Sequence, residues 1–143
     1  MPENPVSPPE ISVVLEGYNE SRDLGTADAT MTALEQQDFP CEKIEVILVG
    51  SSEQASHWRR RYAESPFYDV RVLAKDGEHY FQLKNHGADV ARGTIIAFTD
   101  SDVQPRREWV SAIVNGITAG ADVAVGPSRF HQRDGFEIGA DSA

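Results

Sequence analysis

Two aspartates one residue apart, Asp100 and Asp102, end a largely apolar run at residues 95–99. An apolar run of this length is typical of a buried strand, and open α/β sheets bind ligands just beyond their strand ends. Because successive side chains of a strand point to opposite faces, residues separated by one share a face. Carboxylate oxygens suit hard divalent cations, which proteins commonly share with substrate phosphates. The pattern therefore predicts a metal-dependent nucleotide site. The simpler interpretation is a turn in which an aspartate caps the next helix.

The composition indicates a globular chain and excludes several functions. Its 143 residues suffice for one domain with a core. A net charge of −10 argues against nucleic-acid binding, which needs a basic face, but not against nucleotides that bind through a metal. The single cysteine, Cys41, leaves no internal disulfide and fits a cytoplasmic location. No stretch has the apolar length of a membrane span, and homo-oligomerisation stays open.

Strand patterns and helix patterns alternate along the chain. The predicted strands are residues 11–15, 44–49, 69–73, 94–99 and 122–125, and the predicted helices are residues 23–37, 53–63, 80–91 and 106–119. This alternation predicts βαβ units, and so an α/β fold whose mostly parallel, Rossmann-like sheet is flanked by helices. We expect residues 1–10 to be a disordered leader, residues 11–130 the domain, and residues 131–143 a flexible tail.

Three short blocks occur in order within this pattern. Residues 11–20 read ISVVLEGYNE, residues 84–87 read KNHG with ARG following at 91–93, and residues 98–102 read FTDSD. Together they resemble the nucleotide-binding half of family 2 glycosyltransferases, which have the GT-A fold. Residues 123–126, VAVG, are similar to that family's next strand.

The resemblance implies a role for each aspartate of the third block. Asp102 is expected to ligate Mn²⁺ or Mg²⁺, which bridges the diphosphate of a nucleotide sugar. Asp100 is expected to contact the ribose, or the metal through water. The cation would then stabilise the charge that builds on the leaving nucleoside diphosphate.

The other two blocks imply contacts to the nucleotide. Tyr18 would stack on the base, and Asn19 would fix the turn. Lys84 would neutralise phosphate as a point charge, and Asn85 would reach the nucleotide or buttress the metal loop. The simpler alternatives are a buried tyrosine, a turn asparagine and a solvated lysine.

Two departures from the family pattern concern the ends of the first two strands. The family usually ends its second strand with Asp-Asp-Gly-Ser, where an aspartate reads the base, but here Gly50, Ser51 and Ser52 follow Val49. Ser51 would then hydrogen-bond the base as a neutral and less selective group. In the first turn, Glu16 stands near the expected diphosphate, where its carboxylate either repels the diphosphate or faces elsewhere.

These observations favour a glycosyltransferase domain that binds a nucleotide-diphosphate sugar for transfer to an unknown acceptor. A complete enzyme of this kind adds an acceptor half with the catalytic base, so we expect a fragment or truncated form. The alternative is a non-catalytic nucleotide-binding or regulatory module of the same fold. A haloacid-dehalogenase-like phosphatase is disfavoured because Gln104 stands where that pattern has threonine. A dinucleotide-binding domain is disfavoured because no G-x-G-x-x-G follows the first strand.

Overall fold

The computed structural model describes residues 6–19 and 26–129, which form three layers with a sheet between helices. The strands and α-helices in chain order are β1 (Ile11–Glu16), α1 (Thr26–Glu35), β2 (Ile44–Gly50), α2 (Ser52–Arg61), β3 (Asp69–Ala74), α3 (Tyr80–Val90), β4 (Ile95–Asp100) and α4 (Trp109–Thr118), and a short 3-10 helix, Cys41–Lys43, precedes β2. The strands lie in the order β3-β2-β1-β4, and every pair is parallel. The predicted α/β fold with a parallel sheet is confirmed.

The two central strands are buried on both faces, which is why their sequences are almost continuously apolar. One face of β1 packs against α1, α2 and α4 through a core that includes Leu15, Met31, Trp58 and Val110. The other face packs against α3 through a smaller cluster made of Val14, Ile47, Val49 and Leu83. None of the helices within the described ranges is long and apolar enough to cross a bilayer.

The predicted strand at residues 122–125 is wrong. The chain is irregular there, and Val123 and Val125 are 76% and 90% exposed. A strand needs a neighbour to satisfy its backbone groups, and within residues 6–19 and 26–129 the only strand paired with β4 is β1. Residues 122–125 therefore have the alternating apolar pattern of a strand but no neighbouring strand to pair with in this part of the chain.

Other predicted boundaries differ at their ends. Helix α1 begins at Thr26, and residues 20–25, which include the predicted helix start, lie outside the described residues, as do residues 1–5 and the predicted tail at 131–143. Glu10 is the last residue of the predicted leader, and its amide donates a hydrogen bond to the Lys43 carbonyl at 2.9 Å.

The motif at residues 91–93 belongs to the amino-terminal edge of the sheet, away from the predicted site. Buried Glu45 accepts hydrogen bonds from the Ser12 hydroxyl at 2.8 Å and the Arg92 amide at 3.0 Å, and the Arg92 guanidinium also reaches Asp69 at 2.6 Å. A Cβ at Gly93 would lie 2.6 Å from the Ser12 nitrogen, so only glycine fits there. This half of the second block has a structural role.

Candidate functional site

Three charged side chains meet at the carboxyl ends of β1 and β4. Glu16 ends β1, Asp100 ends β4, and the two residues are in register across the parallel pair. Lys84 comes from α3, and its Nζ lies 2.5 Å from Asp100 Oδ1 and 3.4 Å from Glu16 Oε1. Parallel strands bring their carboxyl ends to one edge, which places these groups where open α/β sheets bind ligands.

The Glu16 carboxylate faces the protein interior. Of the two alternatives that the sequence left open, repulsion of the diphosphate or a carboxylate that faces elsewhere, this is the second. The residue is 1% exposed, and its Oε2 accepts a hydrogen bond from the Tyr18 amide at 2.6 Å. Burial raises the pKa of the Glu16 carboxyl, Asp100 raises it further, and the Tyr18 amide and the Lys84 charge oppose these effects. A buried carboxylate needs such partners, so Glu16 is part of the support of the site.

Lys84 is not a solvated surface lysine, so that alternative is wrong. Its side chain is only 23% exposed and bridges two carboxylates. Because α3 packs over β1 and β2 through Leu83, the next side chain along the helix is carried to the edge of the sheet. The ammonium is therefore held at Asp100 by the packing of the helix.

Asp102 lies in a turn that other elements hold in place. The Ser101 amide donates to the Glu16 carbonyl at 3.3 Å, and the Val103 amide donates to the Asp100 carbonyl at 3.2 Å. The Thr30 hydroxyl of α1 donates to the Ser101 carbonyl at 2.9 Å and the Val103 carbonyl at 2.6 Å. The turn interpretation of this sequence is thus correct.

The helix-cap interpretation of the same aspartates is wrong, because Glu108 is the N-cap of α4. Asp102 is exposed and makes no hydrogen bond or ion pair with residues 6–19 or 26–129. Among these described residues the Asp102 carboxylate therefore has no partner, and it is exposed two residues after Asp100.

The donor set at this turn fits a metal shared with a ligand. Within the described ranges, no cluster of three or more His, Cys, Asp or Glu side chains is arranged to hold a metal ion. Mg²⁺ commonly uses only one or two carboxylates and completes its shell with waters and substrate phosphates. Asp100 and Asp102 match that smaller requirement.

Exposed aromatic rings lie beside the charged groups. Tyr18 is 47% exposed, so the alternative of a buried tyrosine is wrong. Its ring centroid lies 4.7 Å from that of His79 and 6.0 Å from that of Tyr80, and His79 in turn contacts Phe81 at 5.0 Å. Such rings offer faces for stacking. The run of three rings at the start of α3 is a signal that our sequence analysis did not use.

The other predicted nucleotide residues differ in their surroundings. Asn19 and Asn85 are both exposed. The Asn85 side chain makes no hydrogen bond to residues 6–19 or 26–129, so its buttressing of the metal turn is not observed there. Ser51 is the N-cap of α2, where its hydroxyl accepts from the Gln54 amide at 3.2 Å and the Gln54 side chain accepts from the Ser51 amide at 2.8 Å.

A carboxylate from another loop lies beside the end of β2. Asp76 Oδ1 accepts the Ser52 amide at 2.8 Å, and Oδ2 accepts the Ser52 hydroxyl. These hydrogen bonds from Ser52 hold the pKa of Asp76 below its ordinary value. No sequence signal marks Asp76 because its contact partner, Ser52, lies 24 positions earlier at the start of α2; the following Gly77, with φ of 71°, marks only the turn.

The glycines at the ends of β1 and β2 have a packing role. A Cβ at Gly50 would lie 2.3 Å from Gln54 Oε1 and 2.7 Å from the Trp58 ring, and one at Gly17 would meet the same two side chains at 2.7 to 2.8 Å. Gln54 also donates to the Gly17 carbonyl at 2.8 Å. Helix α2 therefore approaches the strand ends so closely that an aspartate at position 50 has no room.

The fold and the site together define the class of protein, an α/β domain with the GT-A fold, in which a parallel sheet carries charged groups at the carboxyl ends of its strands. The chain belongs to glycosyl transferase family 2, whose model matches residues 12–143.

Similar proteins support this placement. Glycosyltransferase AglE of Haloferax volcanii is 27% identical over 131 residues, which cover 89% of this chain and 42% of AglE. The chain thus spans less than half the length of that relative.

Solved structures share the fold. TarS of S. aureus in complex with UDP-GlcNAc has a TM-score of 0.58 at 23% identity, over 77% of this chain and 31% of that one. The mannosyltransferase PcManGT from Pyrobaculum calidifontis, in complex with GDP-Man and Mn²⁺, has a TM-score of 0.54 at 24% identity, over 86% of this chain and 35% of that one.

Proposed function

We propose that this chain is the donor-binding part of a glycosyltransferase, and that it binds a nucleotide-diphosphate sugar through a divalent metal for transfer to an acceptor. The observation that carries the proposal is the contact of Lys84 with Asp100 at the carboxyl edge of a parallel sheet, with the exposed Asp102 two residues further along the turn. A cation and two carboxylates at this edge suit a diphosphate with its metal. UDP-GlcNAc and GDP-Man in the neighbouring structures are ligands of the expected chemical class.

Asp102 and Asp100 would hold Mn²⁺ or Mg²⁺. Such an ion, when bound, supplies Lewis-acid stabilisation of the leaving diphosphate. Lys84 adds a positive charge on a flexible stem that reaches the same place. Glu16 is buried and its charge is paired with Lys84, so we expect it not to repel the diphosphate directly.

The nucleoside would lie towards β2 and β3. Tyr18 offers a ring face to the base, with Asn19 in the adjoining turn and Asn85 exposed on α3. The Ser51 hydroxyl still has a hydrogen to donate, since it acts in the cap as an acceptor. Asp76 supplies an acceptor-only carboxylate at the end of β2, where the sequence of that strand has none.

Transfer itself needs an acceptor and a general base, and we assign neither to the described residues. The activity of the whole enzyme is part of the proposal, because the chain covers only 42% of AglE. A cytoplasmic location and homo-oligomerisation likewise stay predictions.

One observation favours a second candidate function, a non-catalytic nucleotide-binding or regulatory module. Gly50 is packed against Gln54 and Trp58 where the family pattern has a base-reading carboxylate. Loss of that group is expected to weaken base recognition unless Asp76 replaces it.

The test is calorimetric titration with UDP, GDP and their sugar conjugates, in Mn²⁺ and in EDTA. We expect metal-dependent binding that Asp102→Asn abolishes. Asp89→Asn is the matched control, because it removes the same charge from an exposed position on α3. Failure of every nucleotide to bind the folded protein would contradict both candidate functions. Binding without transfer in a chain joined to its acceptor half would favour the regulatory module.

A further inference from the structure

The contact between Lys84 and Asp100 bears on how a metal enters the site. The Lys84 ammonium lies 2.5 Å from Asp100 Oδ1, so it uses an oxygen of one of the two carboxylates suited to a divalent cation. A metal at the same carboxylate would lie close to a like charge. Two cations so near each other repel, and the repulsion is strong in a partly buried site because water screens it weakly.

The surroundings of Lys84 keep it at this position. Its side chain is 23% exposed, and Glu16, which is 1% exposed, holds the ammonium from behind at 3.4 Å. Glu16 is itself fixed by the Tyr18 amide at 2.6 Å. Glu16 thus favours the ammonium at the edge of the sheet over one that swings freely into water.

We propose that Lys84 is an internal counter-ion that competes with the divalent metal for Asp100, and that the donor diphosphate relieves this competition by drawing the ammonium onto its own oxygens. Metal and nucleotide then bind cooperatively, beyond the bond that they make to each other. Glu16 is the positioning residue for the competing state. The inference rests on the proposed function, which assigns Asp100 to the metal.

Cooperativity follows from charge. Without nucleotide, the metal must displace Lys84 or tolerate it, and its affinity is lowered. With a diphosphate present, Lys84 has a stronger anionic partner, since phosphate oxygens attract an ammonium as a point charge. Linkage requires the effect to be reciprocal, so the metal also raises the affinity for the nucleotide.

The test measures Mn²⁺ binding by the electron paramagnetic resonance signal of the free ion, with and without UDP or GDP. Lys84→Met removes the charge and keeps the length of the side chain. We expect it to tighten Mn²⁺ binding in the absence of nucleotide by about fivefold or more. The ratio of the Mn²⁺ affinities with and without nucleotide should fall by a similar factor.

Two further variants separate competition at Asp100 from a general effect of charge. Lys75→Met removes an exposed lysine that follows β3 at the same end of the sheet, and we expect it to leave Mn²⁺ affinity unchanged. Lys84→Arg keeps the charge and should bind Mn²⁺ as weakly as the wild type. Thermal unfolding followed by circular dichroism checks that each variant folds, and Lys84→Gln replaces Lys84→Met should that variant not fold.

The possible outcomes distinguish failure of this inference from failure of the proposed function. Unchanged or weaker Mn²⁺ binding in Lys84→Met, or an equal gain in Lys75→Met, overturns the internal counter-ion. Metal-dependent nucleotide binding that persists in either case leaves the proposed function standing. If the wild type binds no nucleotide, the proposed function is overturned. If the Lys84→Met protein also fails to bind Mn²⁺, this inference is overturned with it.

Discussion

The Thr30 hydroxyl in α1 donates to the Ser101 carbonyl at 2.9 Å, across 71 positions of sequence. Ser101 is 1% exposed and stands between the two aspartates of the proposed metal site. A helix on one face of the sheet therefore holds the turn that presents Asp102. The position of Asp102 therefore depends on Thr30, a buried residue of α1.

Thr30→Val should destabilise the domain and loosen this turn. The substitution keeps the shape of the side chain but removes the hydroxyl that the Ser101 and Val103 carbonyls share, and leaving buried acceptors without their donor costs about 1–3 kcal/mol. Urea denaturation measures the loss, and Mn²⁺ affinity should fall with it. Thr32→Val is the control, because Thr32 is exposed on the same helix and should change stability by no more than about 0.5 kcal/mol. Equal stability of the two variants would contradict the role of Thr30.

Sequence alone predicted the strands that position the site, for a physical reason. A parallel sheet buries both faces of its central strands, so β1 and β2 appear as almost continuous apolar runs, and Asp100 is the last residue of β4. The contact of Lys84 with Asp100 depends on how α3 packs, and Asp76 meets Ser52 from a separate loop. Neither contact leaves a local signal. The same limit explains the error at residues 122–125, where alternation is present but a pairing strand is not.

Gly50→Ala should be destabilising, because its Cβ would lie 2.3 Å from Gln54 Oε1 and 2.7 Å from the buried Trp58 ring. Overpacking of this kind costs about 1–3 kcal/mol. Gly116→Ala is the matched control, since among the described residues its Cβ meets only Ala124, at 3.9 Å, and alanine is favoured within a helix by about 0.5–1 kcal/mol.

Thermal unfolding of the two variants should therefore shift in opposite directions. Gly50→Asp should likewise unfold more readily, so restoring the family's aspartate would not restore base recognition. A stable Gly50→Asp protein with tighter nucleotide binding would disprove the packing argument.

Glu16 should give the domain a stability that declines as pH rises. The folded-state pKa of Glu16 is raised above its ordinary 4.5, first by burial and then by Asp100. Between those two values the folded protein holds a proton that the unfolded chain has lost. The free energy of unfolding contributed by this group therefore falls as pH rises from 4.5 through the folded-state pKa.

The measurement is the urea midpoint of wild type and of Glu16→Gln across that pH range. The difference between them should change with pH, because glutamine cannot titrate. Glu53→Gln, which alters an exposed glutamate in the first turn of α2, should follow the wild-type profile. Parallel profiles for wild type and Glu16→Gln would rule out the raised pKa.

Asp76 should set the base preference of the proposed donor site. A carboxylate only accepts hydrogen bonds, so it favours bases with a ring N–H on their pairing edge, uracil and guanine, over cytosine and adenine, which present a bare ring nitrogen there. Asp76→Asn keeps an oxygen for the Ser52 amide and adds a donor. A hydrogen bond to a charged group is stronger than one between neutral groups, so we expect the preference for UDP and GDP over CDP and ADP to fall by about tenfold or more.

Competition titrations of the four nucleoside diphosphates in Mn²⁺ measure that ratio directly. Asp122→Asn supplies the control, since Asp122 is exposed in the irregular segment after α4 and its loss should leave the ratio as it is. If Asp76→Asn weakens all four nucleotides equally, Asp76 serves only to hold the start of α2 through Ser52. A selective loss for UDP and GDP would instead mean that a loop after β3 reads the base in place of the strand end that Gly50 has left without a carboxylate.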